Sequence, residues 1–399
     1  RKAIELDPEL GEGYISLGSL LRDQVYGYPD EMPLVREAHA AYERGLELSP
    51  NVSQAYHWYA LSLPFIGFYP DPPHGWIDAY KRRVWQSVID KGLEVDPLSL
   101  PLLFTGAAYP LYVSTLEVAM QRARRAIEIA PESTRGYEKV ASLSDHPMGR
   151  IDEAIRWVSK AARRDPQRHA GFSQRLGGLY LKLGDYEMAH ELYVHAEIFR
   201  DKTTSHAIAL LYLDRRADAI EALETTYETI LETDDRSHTA HELTPVLNTL
   251  AALDLQAGDV AAAEQRNDVI REMCLEIRPD ESEICDSLPI HFRISQLTGQ
   301  EDQFRPALEQ EYRDVEIPWF EAYGARAQQA FAKVRALTLL GRHDEALDAL
   351  EVMSLADRQR NGPWVWQFLR DYDPALDAIR DNPRFQDAFA EVEVEMAKQ

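Results

Sequence analysis

Apolar residues along this chain recur at intervals of three and four and rarely alternate, which is the period of a helical face rather than of a strand. The pattern is cleanest in HAGFSQRLGGLYLKLGDYEMAHELYVHAEIF, His169 to Phe199. Leu176, Gly177 and Tyr180 mark one face of a first helix, Gly184-Asp185-Tyr186 reads as a turn, and Ala189, Tyr193 and Ala196 follow at i, i+4 and i+7 in a second helix. The small residues let the two helices approach closely, and the large ones fill the gap between neighbouring pairs.

The same pattern recurs. GYISLG (Gly13 to Gly18) opens a first helix, and AAYERGLELSP (Ala40 to Pro50) closes its second. AMQRARRAIEIAP and EAIRWVSKAARRDP are second helices ending in proline, while LLYLDRRADAIEAL, LDLQAGDVAAAEQ and LTLLGRHDEALDALEVM repeat the turn with Asp214, Gly258 and Gly341. Pro8, Pro50, Pro97, Pro131 and Pro166 are spaced by 42, 47, 34 and 35 residues. A proline just past a helix stops it and redirects the chain. The Leu-Gly, Tyr, Ala, aromatic, Ala succession of 169–199 resembles the tetratricopeptide repeat, a helix–turn–helix unit of about 34 residues. The resemblance implies an all-α tetratricopeptide-repeat α-solenoid, a right-handed superhelix of helix pairs. Roughly nine units fit between Gly11 and Arg360, so residues 1–360 are expected to form the array, with degenerate repeats over about 204–328. Residues 361–399 are expected to form capping helices. Asp373-Pro374 and Asn382-Pro383 each set a capping side chain before a proline at the first helical position, and Phe385, Phe389, Val392 and Met396 then share a face.

A wider resemblance rests on AYHWYALSL, KGLEVDPLSLPLL and DPALDAIRDNPRFQ. These stretches are similar to the repeat regions of bacterial winged-helix transcriptional regulators and of cyclase-type or kinase-type signalling proteins, where an output domain precedes a long array. The opening RKAIELDP reads as the last turns of a helix, so the chain is expected to be part of a longer protein. The resemblance implies a protein- or peptide-binding scaffold or regulatory domain. The alternative is a small-molecule sensor that controls an upstream output domain.

Charge narrows the partners. Lys and Arg number 43 against 67 Asp and Glu, a net charge of −24. Such a field repels phosphate backbones, so nucleic acid is not an expected partner. No stretch approaches the ~18 apolar residues of a membrane-spanning helix, so no membrane contact is expected from this region. The expected compartment is the cytoplasm, or the periplasm if a membrane anchor lies upstream. Homodimerisation through an end of the array is a further expectation. Cys274 and Cys285 are too few for a disulfide framework and read as reduced thiols, with a bridge between them left open.

No catalytic pattern emerges. The chain lacks G-x-S-x-G, G-x-x-x-x-G-K-[ST] and G-x-G-x-x-G, so it is not expected to be an enzyme and no cofactor is implied. HELYVH puts His190 and His195 five apart, about 140° around a helix, whereas two zinc ligands on one face need i and i+4. HTAHE (His238 to Glu242) lacks a third ligand, and no metal is expected. A carboxylate clamp would need Lys and Asn on the first helices, where this chain carries Ile15, His57, Phe104, Glu138 and Gln174.

The expected groove residues are therefore His57, Phe65, Phe104, Tyr112, Glu138, Gln174 and Lys182, on an inner face built from first helices. The aromatic run AYHWYALSLPFIGFYPDPPHGWIDAY divides in two. Tyr56, Tyr59 and Ala60 fall at packing positions, with Trp58 sealing against a neighbouring helix. PFIGFYPDPPHGW is a stiff insertion whose Phe68, Tyr69 and Trp76 either fold back on the array or form a recognition loop. The second-helix arginines Arg122, Arg124 and Arg125 are expected to face solvent.

Overall fold

The computed structural model describes residues 1–24, 32–63, 76–108, 115–146, 148–196, 203–231, 236–277, 288–315, 326–358, 360–361 and 364–399. Phe65, Phe68, Tyr69, Tyr112 and Cys285 lie outside these residues. Among the described residues, Arg1–Leu143 form one compact unit and Ser144–Gln399 another.

The first unit carries α1 (Lys2–Leu6), α2 (Gly11–Arg22), α3 (Met32–Leu48), α4 (Ser53–Ser62), α5 (Trp76–Val95), α6 (Leu100–Ala108), α7 (Leu116–Ile129) and most of α8 (Thr134–Asp145), whose Ser144 and Asp145 belong to the second unit. Consecutive helices pair as α2 with α3, α4 with α5 and α6 with α7, and the first helices α2, α4 and α6 also touch one another in sequence. Each proline of the spaced series stands two residues past a helix end: Pro8 after Leu6, Pro50 after Leu48, Pro97 after Val95, Pro131 after Ile129. The tyrosine six residues after two of these prolines reaches back to the proline carbonyl, Tyr56 to Pro50 and Tyr137 to Pro131, both at 3.0 Å.

The core of this unit explains most of the aromatic run. Tyr56, Tyr59 and Ala60 are buried with Tyr42, Trp85 and Ile89, and Trp58 packs against the same cluster. Tyr42 and Tyr59 stack at 5.6 Å between centroids. A Cβ on Gly18 would stand 3.0 Å from the Tyr42 ring, so the small residue there lets the helices of the first pair meet. Trp76 opens α5, and its side chain is not among the described ones. Arg122 departs from expectation. It is buried, pairs with Asp90 at 2.6 Å and bonds the Gly106 carbonyl at 3.3 Å. Arg122 faces inward because α6 leaves room beside Gly106, where a Cβ would lie 2.7 Å from the guanidinium.

The second unit carries α9 (Ile151–Arg164), α10 (His169–Leu183), α11 (Tyr186–His195), α12 (Thr203–Tyr212), α13 (Arg216–Leu231), α14 (Arg236–Gln256), α15 (Val260–Ile277), α16 (Leu288–Thr298), α17 (Glu301–Val315), α18 (Arg326–Leu339) and α19 (His343–Glu351). From α10 onward these form five consecutive pairs, and the first helices α10, α12, α14, α16 and α18 touch in that order. Four of the five turns place a glycine at positive φ (Gly184, Gly258, Gly299 and Gly341) and the fifth uses Asp214 at φ 62°. Glycine adopts this left-handed backbone freely, and aspartate is among the few other residues that tolerate it. After two of these glycines an aspartate caps the next helix: Asp185 accepts from the Met188 N–H and Asp259 from that of Ala262. A Cβ on Gly177 would lie 3.1 Å from the Tyr193 ring, repeating the Gly18–Tyr42 contact. The chain is thus an all-α helical-repeat solenoid.

The C-terminal segment has a short α20 (Leu355–Arg358), then β1 (Arg360–Asn361) and β2 (Trp364–Val365), a two-residue antiparallel ladder that is the only sheet among the described residues. There follow α21 (Trp366–Asp371), a 3-10 turn (Pro374–Leu376), α22 (Asp377–Arg380) and α23 (Pro383–Lys398). Asp373 and Asn382 cap the two proline-led turns as their sequence implies. Phe385, Phe389, Val392 and Met396 share the buried face of α23. The segment is not confined to the last pair, and its reach concerns the site described next.

Candidate functional site

First helices standing side by side offer one continuous row of side chains, and the two units fill that row differently. In the second unit the row holds a segment of its own chain. Every first helix of that unit touches the C-terminal segment: α10 meets α23, α12 meets β2, and α14, α16 and α18 meet the 3-10 turn. The Trp366 indole N–H donates to the Lys182 carbonyl at 2.8 Å, and the Gln367 amide to that of Leu181 at 2.9 Å. Both carbonyls belong to the last turn of α10; the segment satisfies the Lys182 carbonyl that the helix end leaves open, while the Leu181 carbonyl also accepts from the Gly184 N–H at 3.0 Å.

Three aspartates follow, each met by a side chain of the row. Tyr212 donates to Asp371 at 2.6 Å, Arg335 pairs with the fully buried Asp373 at 2.6 Å, and Arg293 faces Asp377 at 3.6 Å. Arg293 and Arg335 occupy equivalent places, six residues before the turn glycines Gly299 and Gly341. Tyr212 has its acidity suppressed, first by burial and then by the adjacent Asp371 carboxylate. Arg370 holds its proton more tightly than usual, chiefly through its bond to Asp371. At the far end, the Gln399 side chain accepts from the Ile151 N–H at 2.6 Å and donates to the Gly149 carbonyl at 3.0 Å.

Gln174 and Lys182 lie in this unit, both buried. Lys182 forms an ion pair with Asp145. The Gln174 amide nitrogen has no hydrogen-bond partner among the described residues.

In the first unit the row carries His57, half-buried, with Glu138 half-buried further along on α8; Phe104, expected in the groove, is instead buried in the core with Leu103 and Ala126. His57 Nδ1 stands 3.0 Å from the Thr105 hydroxyl, so neighbouring first helices bring His57 beside Phe104. The Arg135 guanidinium lies 4.9 Å over the Phe104 ring. Burial lowers the basicity of His57, and the nearby charges of Arg22 and Arg135 lower it further, which holds the ring neutral. Arg22 and Arg135 escape a reading based on position-by-position resemblance. The signal that finds them is the charge of the first helices themselves.

A third cluster sits on α11 and α12. Arg215 can only donate, so its bond to His190 Nε2 at 2.8 Å leaves the His190 proton on Nδ1, aimed at His206 Nε2 at 2.8 Å. The two rings stack at 5.1 Å. His206 is pushed down to about 4, by burial first and then by its His190 and Arg215 neighbours. His190 thus pairs across to the next helix rather than with His195, and both rings serve as neutral packing partners. Among the described residues no group of three potential metal ligands occurs. The side chains of HTAHE and of Cys274 are not among those described. No described helix is long and apolar enough to cross a membrane.

No protein-family model matches the chain, and no curated protein does. Solved helical-repeat structures resemble parts of it. YrrB, described as a TPR protein with an unusual peptide-binding site, is 18% identical with a TM-score of 0.34 over 56% of this chain and 96% of its own. PilF of Pseudomonas aeruginosa is 16% identical with a TM-score of 0.40 over 59% and 96%. A thermophilic TPR protein of Thermus thermophilus is 17% identical with a TM-score of 0.33 over 53% and 98%.

Proposed function

We propose that this chain is a protein- or peptide-binding scaffold, and that it serves as the regulatory part of a larger bacterial signalling or transcription-regulating protein. One observation carries the scaffold reading. The row of first helices in the second unit already holds a polypeptide segment, through helix-end carbonyls, aromatic burial and paired aspartates. A surface that grips a segment of its own chain has the chemistry to grip one from another chain. In the first unit the corresponding residue is His57, since Phe104 lies in the core with Leu103 and Ala126. Gln174 and Lys182 contribute to the internal packing of the second unit, and residues 361–399 act as its cap along the whole row.

Selection of peptides from a random display library against the full chain tests the scaffold reading. Selected peptides are expected to lose affinity in His57→Ala. Binders indifferent to this change would reject the first-unit face.

A second reading, a small-molecule sensor, draws on the degenerate middle repeats. There Asn248 Oδ1, Asn267 Oδ1 and His291 Nε2 are buried without hydrogen-bond partners among the described residues, and Asn267 bonds the other nitrogen of His291. Buried polar atoms of this kind are ordinarily satisfied, by water or a ligand where protein does not serve. A metabolite that raises the melting temperature of the full chain, but not that of Asn248→Leu, supports this reading. A broad panel without such a shift rejects it.

A further inference from the structure

We propose that the solvent face of α9, with the turn that follows it, docks a short acidic segment of a partner polypeptide. This face belongs to a second helix, so the inference goes beyond the scaffold reading of the first-helix row and is tested separately from it.

Three observations support it. The first is the local sign of charge. Residues 150–175 hold seven Arg and Lys against Asp152, Glu153 and Asp165, a net +4 within a chain of −24. The rest of the chain therefore carries −28. A cationic face on an acidic protein is electrostatically matched to an acidic ligand that the remaining surface repels.

The second is the arrangement of the cations. Ile151, Ala154, Val158 and Ala161 form the buried face of α9. Arg156, Lys160, Arg163 and Arg164, at i, i+4, i+7 and i+8, fall within about 100° of arc on the opposite side. Arg156, Arg163 and Arg164 are exposed, Lys160 is half-buried, and the turn after α9 adds the exposed Arg168. The Lys160 ammonium lies 4.0 Å over the Trp157 ring and the Arg168 guanidinium 4.9 Å over that of Phe172. An aromatic face orients a cation without cancelling its charge. Two of the three carboxylates stand at the start of the helix, where Asp152 meets Arg156 at 2.6 Å and Glu153 meets Arg150 at 3.5 Å. The Arg156 side chain is 62% exposed, and a surface pair of this kind is weak, so an incoming carboxylate can exchange with Asp152. Cations in a last turn complement the helix dipole. That accounts for Arg163 and Arg164 but not for Arg156 and Lys160, which lie before it.

The third is length. Arg156 to Arg164 span about 12 Å of helix axis. Three glutamates at alternate positions of an extended chain span about 13 Å on one face, so such a segment meets the stripe along its whole length. A nucleic-acid duplex carries one charge per roughly 1.7 Å and runs on past the stripe, over surface whose charge repels it. The stripe therefore fits a short acidic polypeptide.

The test uses the full chain, isotope-labelled at its tryptophan indoles, and three capped pentapeptides. One is Glu-Ser-Glu-Ser-Glu, one has its glutamates replaced by glutamine, and one has them replaced by lysine. The Trp157 indole N–H, identified by its loss in Trp157→Phe, sits beside the stripe and reports binding there by NMR. The acidic peptide is expected to shift this resonance saturably, about tenfold or more tightly than the glutamine form, and more weakly as salt is added. Arg156→Gln combined with Arg163→Gln removes two exposed cations from one side of the helix and is expected to cost about tenfold in affinity, with the urea midpoint retained. Should the double variant unfold, Arg163→Gln alone carries the same comparison at about threefold. His57→Ala is expected to leave the binding unchanged, because it reports on the first-helix row.

Equal affinity for the acidic and glutamine forms would overturn the proposal. So would acidic-peptide binding that survives loss of Arg156 and Arg163. An oligothymidylate that shifts Trp157 through these arginines where the acidic peptide does not would replace the polypeptide partner with a nucleic acid. If none of the three peptides moves the Trp157 resonance, the inference fails. None of these results touches the scaffold reading, which the display selection on His57 decides.

Discussion

In the second unit the row of first helices is committed to Trp366, Gln367 and three aspartates of its own chain. In the first unit the same row presents His57 bonded to Thr105, Arg135 over the Phe104 ring and Arg22 paired with Asp23. The two rows share their helix-pair construction and differ in what meets the cations. Where a buried carboxylate is supplied from within, as by Asp373, the guanidinium becomes part of the core. Where none is supplied, as at Arg135, the guanidinium stays exposed over an aromatic ring. One architecture can thus be sealed at one place and receptive at another, depending on a few residues per helix.

The contrast is broken most severely by Arg335→Ala. It strands the fully buried Asp373 carboxylate, and removal of one partner from a buried pair costs about 3–5 kcal/mol. Urea unfolding of the full chain is expected to show this loss. A change below about 1 kcal/mol, the scale of a surface pair, would mean that the segment is a superficial addition to the row.

Acid attacks the second unit next. His206 ionises near pH 4 in the folded chain, against about 6.5 when unfolded. Between these values the unfolded chain binds more protons, so stability falls as the pH drops from about 6.5 toward 4 and is fully present above that window. The loss attributable to this group is roughly 3 kcal/mol. His206→Leu is expected to flatten the dependence of the urea midpoint between pH 7 and pH 4.5. An unchanged slope would show that His206 does not govern it.

Gly92→Ala sharpens the comparison from the first-unit side. The added Cβ would stand 2.7 Å from both Leu102 and the Tyr56 Cβ, and overpacking of this kind costs about 1–3 kcal/mol. Differential scanning calorimetry of the full chain is expected to show a lower melting temperature. An unshifted endotherm would mean that the contact between these pairs yields.

Arg135→Ala has the smallest structural effect, within about 0.5 kcal/mol as for an exposed position, measured by the same urea unfolding. A loss on the scale of Arg335→Ala would place Arg135 with Arg335 in the core.

Much of this was legible in the residues. The proline series, the turn glycines with Asp214, and the cores around Tyr56, Tyr59 and Ala60 and around Phe385, Phe389, Val392 and Met396 all stand where the periodicity puts them. Arg122 was not legible: an arginine on a second helix reads as solvent-facing until Gly106 and Asp90 are seen beside it. Nor could His190 be assigned to His206, since the sequence offers His195 on the same helix and hides the next pair.

What the sequence by itself determined is the local matter: helix pairs, turn chemistry and the apolar face of each helix. These depend on contacts three or four residues apart and on backbone preferences at single positions. Only the tertiary structure decided which rows are filled. Trp366 reaches a carbonyl 184 positions earlier and Asp373 an arginine 38 positions earlier, and neither contact leaves a local pattern. A cation on a first helix looks the same in sequence whether the fold later brings it a buried carboxylate or leaves it exposed over a phenylalanine ring. That choice belongs to the path of the chain, and it separates the sealed row from the receptive one.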